Sequence, residues 1–247
     1  MDDTVLITGA SGGVGRALAR RLSDAGWRIA AVSRDASRLA GVAGHPVVAD
    51  VSTADGAAAA LDAACTHFDG APAALAHCAG STLIAPLART REAQYRAVMA
   101  ANLDSAFFTL QAWMGVCAAA KRPGAAVVFS SVVARIGVVH HAAIAAAKGG
   151  IEALVRALAA DGAAHGLRVN AIAPGLMRSP MTERLVATES AAQQVAAQYP
   201  AGRFGDADSD GAAAAAWLLS REASWVNGQV LGLDGGFSAV RPFVRNG

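Results

Sequence analysis

Lys148 is one of only two lysines in a chain of 247 residues that otherwise carries nineteen arginines. A compact ammonium at one spot of an arginine-using chain points to point-charge chemistry that a planar, bulkier guanidinium would serve poorly. Seventeen residues before it stands the hydroxyl of Ser131, and four before it stands Ile144, which has no proton to give. His140 and His141 come four and three residues ahead of Ile144, so a helix that already includes them would put either on its face. Imidazole, with an ordinary pKa of about 6.5, is a competent proton donor near neutrality.

A second cluster is suited to holding phosphate. The run Thr8-Gly9-Ala10-Ser11-Gly12-Gly13-Val14-Gly15 follows a strand-like segment and opens a helix. In that context Gly9 permits a tight turn, Gly13 lets the backbone approach a pyrophosphate, and Gly15 lets helix and strand pack closely. The helix N-terminus then faces the negative charge of a dinucleotide. The next strand-like run ends Ala31-Val32-Ser33-Arg34, without the carboxylate that would hold the 2′-hydroxyl of NAD. Arg34 is placed to meet a 2′-phosphate, so NADP(H) is favoured over NAD(H). Cys65, Cys78 and Cys117 are odd in number and widely spaced, which fits a reduced protein with no disulfide framework and no metal site.

The elements that must position these groups alternate along the chain. Short β-branched runs at 4–8, 28–33, 46–49, 73–77, 125–130, 168–173 and 229–233 predict strands. Alanine-rich stretches at 14–25, 54–67, 92–119, 142–165 and 208–220 predict helices whose small side chains pack closely on a sheet. This alternation specifies βαβ units: a single α/β domain over 1–247, with a Rossmann-type doubly wound parallel sheet and helices on both faces. The region 175–205, with a short polar helix at about 182–198 between Pro180 and Pro200, is expected beyond the carboxyl ends of the strands as a substrate lid. Its apolar residues Leu176, Met177, Met181 and Leu185 suit a moderately hydrophobic ligand or plain lid packing.

In this register the chain resembles the short-chain dehydrogenase/reductase family, 3-oxoacyl-ACP reductases in particular, along nearly its whole length. Thr-Gly-x-x-x-Gly-x-Gly is that family's form of the turn, and the resemblance sets Thr8, Gly9, Ser11, Gly13, Val14 and Gly15 against the cofactor. It also implies seven strands, Asp50 and Val51 beside the adenine ring, and Pro174, Gly175 and Ser179 at the nicotinamide carboxamide. His77-Cys78-Ala79-Gly80 stands where the family has Asn-Asn-Ala-Gly. Ala79 and Gly80 keep the close approach to the cofactor, the bracing amides are gone, and His77 is expected to be structural. Asn102 matches the asparagine that kinks a helix and holds a water of the proton relay. Ser131 matches the substrate-polarising serine, and Lys148 the lysine that holds the nicotinamide ribose.

The family's catalytic tyrosine falls on Ile144. In the family a lysine lowers the tyrosine's pKa of about 10, and the phenol protonates the carbonyl oxygen as hydride arrives. A positioned acid is worth roughly 10² to 10⁴ in rate, so unaided ketone reduction is expected to be slow. The only tyrosines are Tyr95, on a distant helix, and Tyr199, in the lid, from where it would have to swing in. The expected function is NADP(H)-dependent hydride transfer to a carbonyl, imine or activated C=C bond with a non-standard or absent proton donor. His141 would be the substitute acid. The alternative is a catalytically inactive cofactor-binding subunit or regulatory protein that pairs with an active relative.

Composition narrows the partners. A net charge of +2 and scattered arginines offer no footprint for nucleic acid or anionic lipid. No apolar run approaches the roughly 18 residues needed to cross a bilayer, and the start Met1-Asp2-Asp3 lacks a cationic leader. A cytoplasmic protein acting on a small molecule is expected. The resemblance further implies a homotetramer or homodimer, or a hetero-oligomer with an active relative.

Overall fold

Every residue of the first strand, β1 (Thr4–Thr8), is buried, so this run is covered on both faces and belongs at the centre of a sheet. The computed structural model describes residues 3–180 and 182–241, without the side chain of Arg184; Met181, named above for the lid, lies outside the described residues. After β1 come α1 (Gly13–Asp24), β2 (Arg28–Ser33), β3 (His45–Val48), α2 (Ala54–Phe68), β4 (Ala74–His77) and α3 (Glu92–Met99). Then follow α4 (Ser105–Ala119), β5 (Gly124–Phe129), α5 (Ala142–Ala163), β6 (Leu167–Pro174), β7 (Met177–Arg178) and α6 (Glu189–Ala196). The described chain closes with β8 (Gly205–Asp206), α7 (Ala213–Leu219) and β9 (Val230–Leu233).

Seven strands form one parallel sheet in the order β3-β2-β1-β4-β5-β6-β9. Side chains alternate across it with the two-residue period of a strand. Leu6, Leu75, Ala126 and Val128 enter one layer with Leu61 of α2, Leu110 and Trp113 of α4, and Ile151 of α5. Val5, Ile7, Ala76 and Val127 enter the other with Leu18 and Leu22 of α1 and Leu218 of α7. Each fully buried leucine or isoleucine contributes about 1.5 to 3 kcal/mol, which makes the two apolar layers the main support of the sheet. The strand order reverses between β1 and β4, where Thr8 pairs in register with His77, and this is where a doubly wound sheet opens a crevice.

The expected helix at 92–119 is broken. Residues 100–104 form a π-helical turn between α3 and α4. Side-chain donors compete with the backbone ladder there: Asn102 Nδ2 donates to the Val98 carbonyl at 2.9 Å, and the Ser105 hydroxyl to that of Ala101 at 2.9 Å. The expected lid helix is likewise divided into a 3₁₀ turn (Glu183–Val186) and α6, which restarts at Thr188, whose hydroxyl accepts from the Ala191 N–H at 3.2 Å. The stretch 207–212 is π-helical, and it begins where the Asp206 carboxylate accepts from the N–H groups of Asp208 and Ser209. The pairing of β7 with β8, which brackets residues 179–204, has no signal in these two-residue segments.

Candidate active site

The crevice is built from the carboxyl end of β1. Gly9 has φ +62°, and a Cβ there would lie 2.6 Å from the Ala79 nitrogen. Only glycine lets the turn press against the end of β4. A Cβ on Gly15 would come within 2.4 Å of the Gly9 carbonyl, and one on Gly13 within 3.0 Å of Ser179 Cβ. Ser179 is therefore brought over the glycine-rich turn. Val14 is half-buried in the first turn of α1, and Gly175 donates its N–H to the Leu233 carbonyl at 3.0 Å, fixing Pro174-Gly175 to β9. Thr8, in contrast, is fully buried with its hydroxyl 2.9 Å from His77 Nδ1, so that hydroxyl is not presented to a nucleotide.

Beyond the tip of β2, Arg34 is exposed. Its neighbour Asp35 is turned away, accepting from the Ser37 N–H and hydroxyl at 2.9 and 2.7 Å. The hydroxyls of Ser11 and Ser33 lie 3.3 Å apart between the turn and the tip of β2. Asp50 is held below the usual carboxylate range by the Ser52 hydroxyl and N–H, with Arg34 adding a favourable charge. Val51 is buried in the core layer beside α2.

On the other side of the crevice, beyond the end of β4, Gly80, Asn102 and Lys148 converge. A Cβ on Gly80 would lie 2.9 Å from Asn102 Oδ1 and 3.6 Å from Lys148 Nζ, so Gly80, Asn102 and Lys148 share one small space. Lys148 is 8% exposed and donates from Nζ to the Phe129 carbonyl at 2.7 Å. Burial lowers its pKa from 10.5 to about 8, and burial likewise pushes the Cys78 thiol up to about 12. Asn102 is fully buried in the π-helical turn, with Nδ2 bonded to Val98 and Ser81 and Oδ1 accepting from the Ser81 N–H. Ser131 is half-buried at the head of a 3₁₀ turn, its oxygen 3.4 Å from the Val133 N–H.

Ile144 stands one turn before Lys148 and is 4% exposed. It packs with Val98, Ala143 and Ala147, against Leu83, Met99, Leu103 and Val133. The place of the resemblance's phenol is an apolar cluster. The condition set for the histidines is not met: α5 starts at Ala142, His141 is its N-cap, and His140 precedes it with φ +66°. His141 Nδ1 lies 2.7 Å from the Val139 carbonyl, which makes it a donor and ties the ring to its own loop. Tyr199 is engaged elsewhere. It is buried, stacked on Phe237 at 4.9 Å, and its hydroxyl accepts from the Leu176 N–H at 2.8 Å.

A buried network escaped the sequence reading. Glu152, one turn after Lys148, accepts from the Ser130 hydroxyl at 3.0 Å and from Arg135 Nε at 3.0 Å. Arg135 also donates to the Val230 carbonyl of β9 at 2.9 Å. These bonds stitch the segment that carries Ser131 to the helix that carries Lys148. The i, i+4 spacing of Lys148 and Glu152 was the available signal, but it does not reveal that Ser130 and Arg135 are the partners.

A family model described as enoyl-(acyl carrier protein) reductase matches residues 9–238. The 3beta-hydroxysteroid dehydrogenase 1 of Eggerthella lenta is 36% identical over 250 residues, covering 97% of this chain and 95% of the relative. A 3-oxoacyl-[acyl-carrier-protein] reductase of Staphylococcus aureus is 32% identical, covering 96% and 98%. A solved short-chain type dehydrogenase/reductase from Mycobacterium ulcerans superposes with a TM-score of 0.91 at 28% identity, covering 98% of this chain and 91% of that one. The sheet order, the crevice at its switch point and these end-to-end likenesses have one common explanation: the chain belongs to the short-chain dehydrogenase/reductase family of oxidoreductases, which bind NAD(P).

Proposed function

We propose that this protein binds NADP(H) and transfers hydride to an acceptor whose reduction does not draw a proton from residue 144. The observation that carries this reading is the pairing of Lys148, buried beside Gly80 and Asn102, with Ile144, buried one turn earlier among Leu83, Val98, Leu103 and Val133. Cofactor-holding groups are kept while the protonation position is apolar. An iminium ion or a polarised C=C bond meets that requirement, since the first needs only hydride and the second forms an enolate that water can protonate. Ser131 would orient the acceptor. NADP(H) over NAD(H) is supported by exposed Arg34, by the hydroxyls of Ser11 and Ser33, and by the capping role that removes Asp35 from the ribose.

The substrate body is hydrophobic in this proposal. Exposed Ile84, Leu87 and Val139 lie on two loops joined by the Ala85 N–H and the His140 carbonyl at 2.9 Å, and one relative is named as a hydroxysteroid dehydrogenase. No helix among the described residues is long and apolar enough to cross a membrane, and we place the protein in the cytoplasm. Self-association as a homotetramer or homodimer would cover Trp225, which is 99% exposed, and Leu231 on the edge strand β9.

The second reading, a cofactor-loaded subunit that does not turn over, is favoured by the locked positions of His141 and Tyr199. Titration with NADPH and NADH, followed by ketone, cyclic-imine and enone panels, separates the two. Imine or enone reduction that is unaffected by His141→Ala supports the proposal. Tight NADPH binding without turnover of any panel member supports the subunit, and failure to bind either nucleotide would overturn both.

A further inference from the structure

His77 is fully buried at the end of β4, and its two ring nitrogens meet two different elements. Nδ1 lies 2.9 Å from the Thr8 hydroxyl, at the end of β1 and next to Gly9 of the dinucleotide turn. Nε2 lies 3.1 Å from the Ser105 hydroxyl, the first residue of α4 after the π-helical turn. Ser105 donates its proton to the Ala101 carbonyl at 2.9 Å, so it accepts from Nε2–H, and Nδ1 in turn accepts from Thr8. The opposite tautomer would take the Ser105 proton away from Ala101. Every member of this line thus has one role, and Ser105 also lies 3.3 Å from the Asn102 carbonyl.

The line joins two segments that no backbone ladder joins. The dinucleotide turn belongs to the cofactor side of the crevice, and the turn at 100–104, with Asn102 beside Lys148, belongs to the reacting side. Imidazole is suited to this because its nitrogens point in diverging directions, whereas an amide carries both polar atoms at one end. Burial lowers the pKa of His77 to about 3, with Lys148 contributing, which keeps the ring neutral and the donor order unchanged at ordinary pH.

We propose that His77 is a positioning residue that clamps the dinucleotide turn to the π-helical turn around Asn102, so that the two sides of the crevice are set as one unit. The proposal rests on the nicotinamide-cofactor reading for its consequence, but the clamp itself exists in the protein without nucleotide. It is tested by hydrogen exchange of the amides of 9–13 and 100–105 in the unliganded protein. Thr8→Val cuts one arm, Ser105→Ala the other, and His77→Phe both. Thr8→Val is expected to raise exchange at 100–105, and Ser105→Ala at 9–13, each by about tenfold, the scale of one buried hydrogen bond.

Each single-arm variant should also weaken NADPH binding, and the double variant should cost no more than His77→Phe. Side-chain nitrogen NMR should show a neutral Nε2–H imidazole with no titration between pH 5 and 8. Exchange that responds only in the segment next to each substitution, or an Nδ1–H tautomer, would overturn the clamp. Should His77→Phe fail to fold, the two single-arm variants still decide the matter. If the unaltered protein does not bind NADPH, that failure falls on the cofactor reading, while cross-crevice exchange still tests the clamp.

Discussion

The ammonium of Lys148 reaches the carbonyl oxygen of Phe129 at 2.7 Å, tying the middle of α5 to the last residue of β5. One turn earlier, Ile144 packs into an apolar cluster. The same helix therefore carries a buried charge and, beside it, a side chain that can donate nothing. Polar and apolar halves of the site are separated by a single helical turn, and the expected behaviour follows from that division.

Lys148 gives two pH effects of opposite sign. Its folded pKa is about 8 against an ordinary 10.5, so between these values the folded protein has lost a proton that the unfolded chain keeps. Stability of the protein without nucleotide should rise from pH 8 to 10.5, and that gain is lost as pH falls back through about 8. NADPH affinity should fall over the same rise, because the ribose loses its ammonium partner. Urea unfolding and fluorescence titration measure the two slopes. Lys148→Met should bind more weakly and flatten both; unchanged slopes in that variant would exclude Lys148 as their source.

Ile144→Tyr should restore the phenol one turn before Lys148. Ketone reduction with NADPH is expected to rise by about 10² to 10⁴, the usual worth of a positioned acid. The larger ring in the cluster of Leu83, Val98, Leu103 and Val133 should cost about 1 to 3 kcal/mol of stability through overpacking. Initial rates on a ketone panel and a urea midpoint check the pair of effects. No gain on any ketone in a folded, NADPH-binding variant would mean that Ile144 is not at the protonation position.

Arg34→Ala should weaken NADPH by about 10- to 100-fold, the scale of hydrogen bonds to a charged group. NADH should change little, since the ribose 2′-hydroxyl gives the guanidinium no phosphate to hold. Parallel titrations of both nucleotides provide the comparison. Equal losses for the two would remove Arg34 from cofactor choice.

Glu152→Ala leaves Ser130 and Arg135 without their shared acceptor in a buried position. A loss of about 1 to 3 kcal/mol is expected, with Arg135's partial exposure keeping it from the upper end for buried ion pairs. Glu152→Gln, which can still accept from Ser130, should lose less. Denaturant midpoints of the two variants rank them, and equal losses would show that the ion pair with Arg135 is the whole of the effect.

The sheet, the glycine-rich turn after β1 and the apolar side chain at 144 were legible in the sequence. Each is a local pattern: β-branched runs alternating with alanine-rich helices, glycines at fixed offsets after a strand, an isoleucine four residues before Lys148. Such patterns survive in one dimension because strand and helix periods act on neighbouring residues. The polar partners, by contrast, are set by contacts between segments distant in the chain. Thr8 turns to His77 because β1 and β4 are aligned in register, Ser105 meets that ring from the start of α4, and Glu152 draws in Ser130 and Arg135 from the segment that follows β5. The break at 100–104, and the start of α5 at Ala142 that leaves His141 off the face of Ile144, also depend on which side chain wins a given carbonyl. A buried donor takes the acceptor that packing brings within about 3 Å, and residues 69 positions apart in sequence reach that distance only once the sheet has formed.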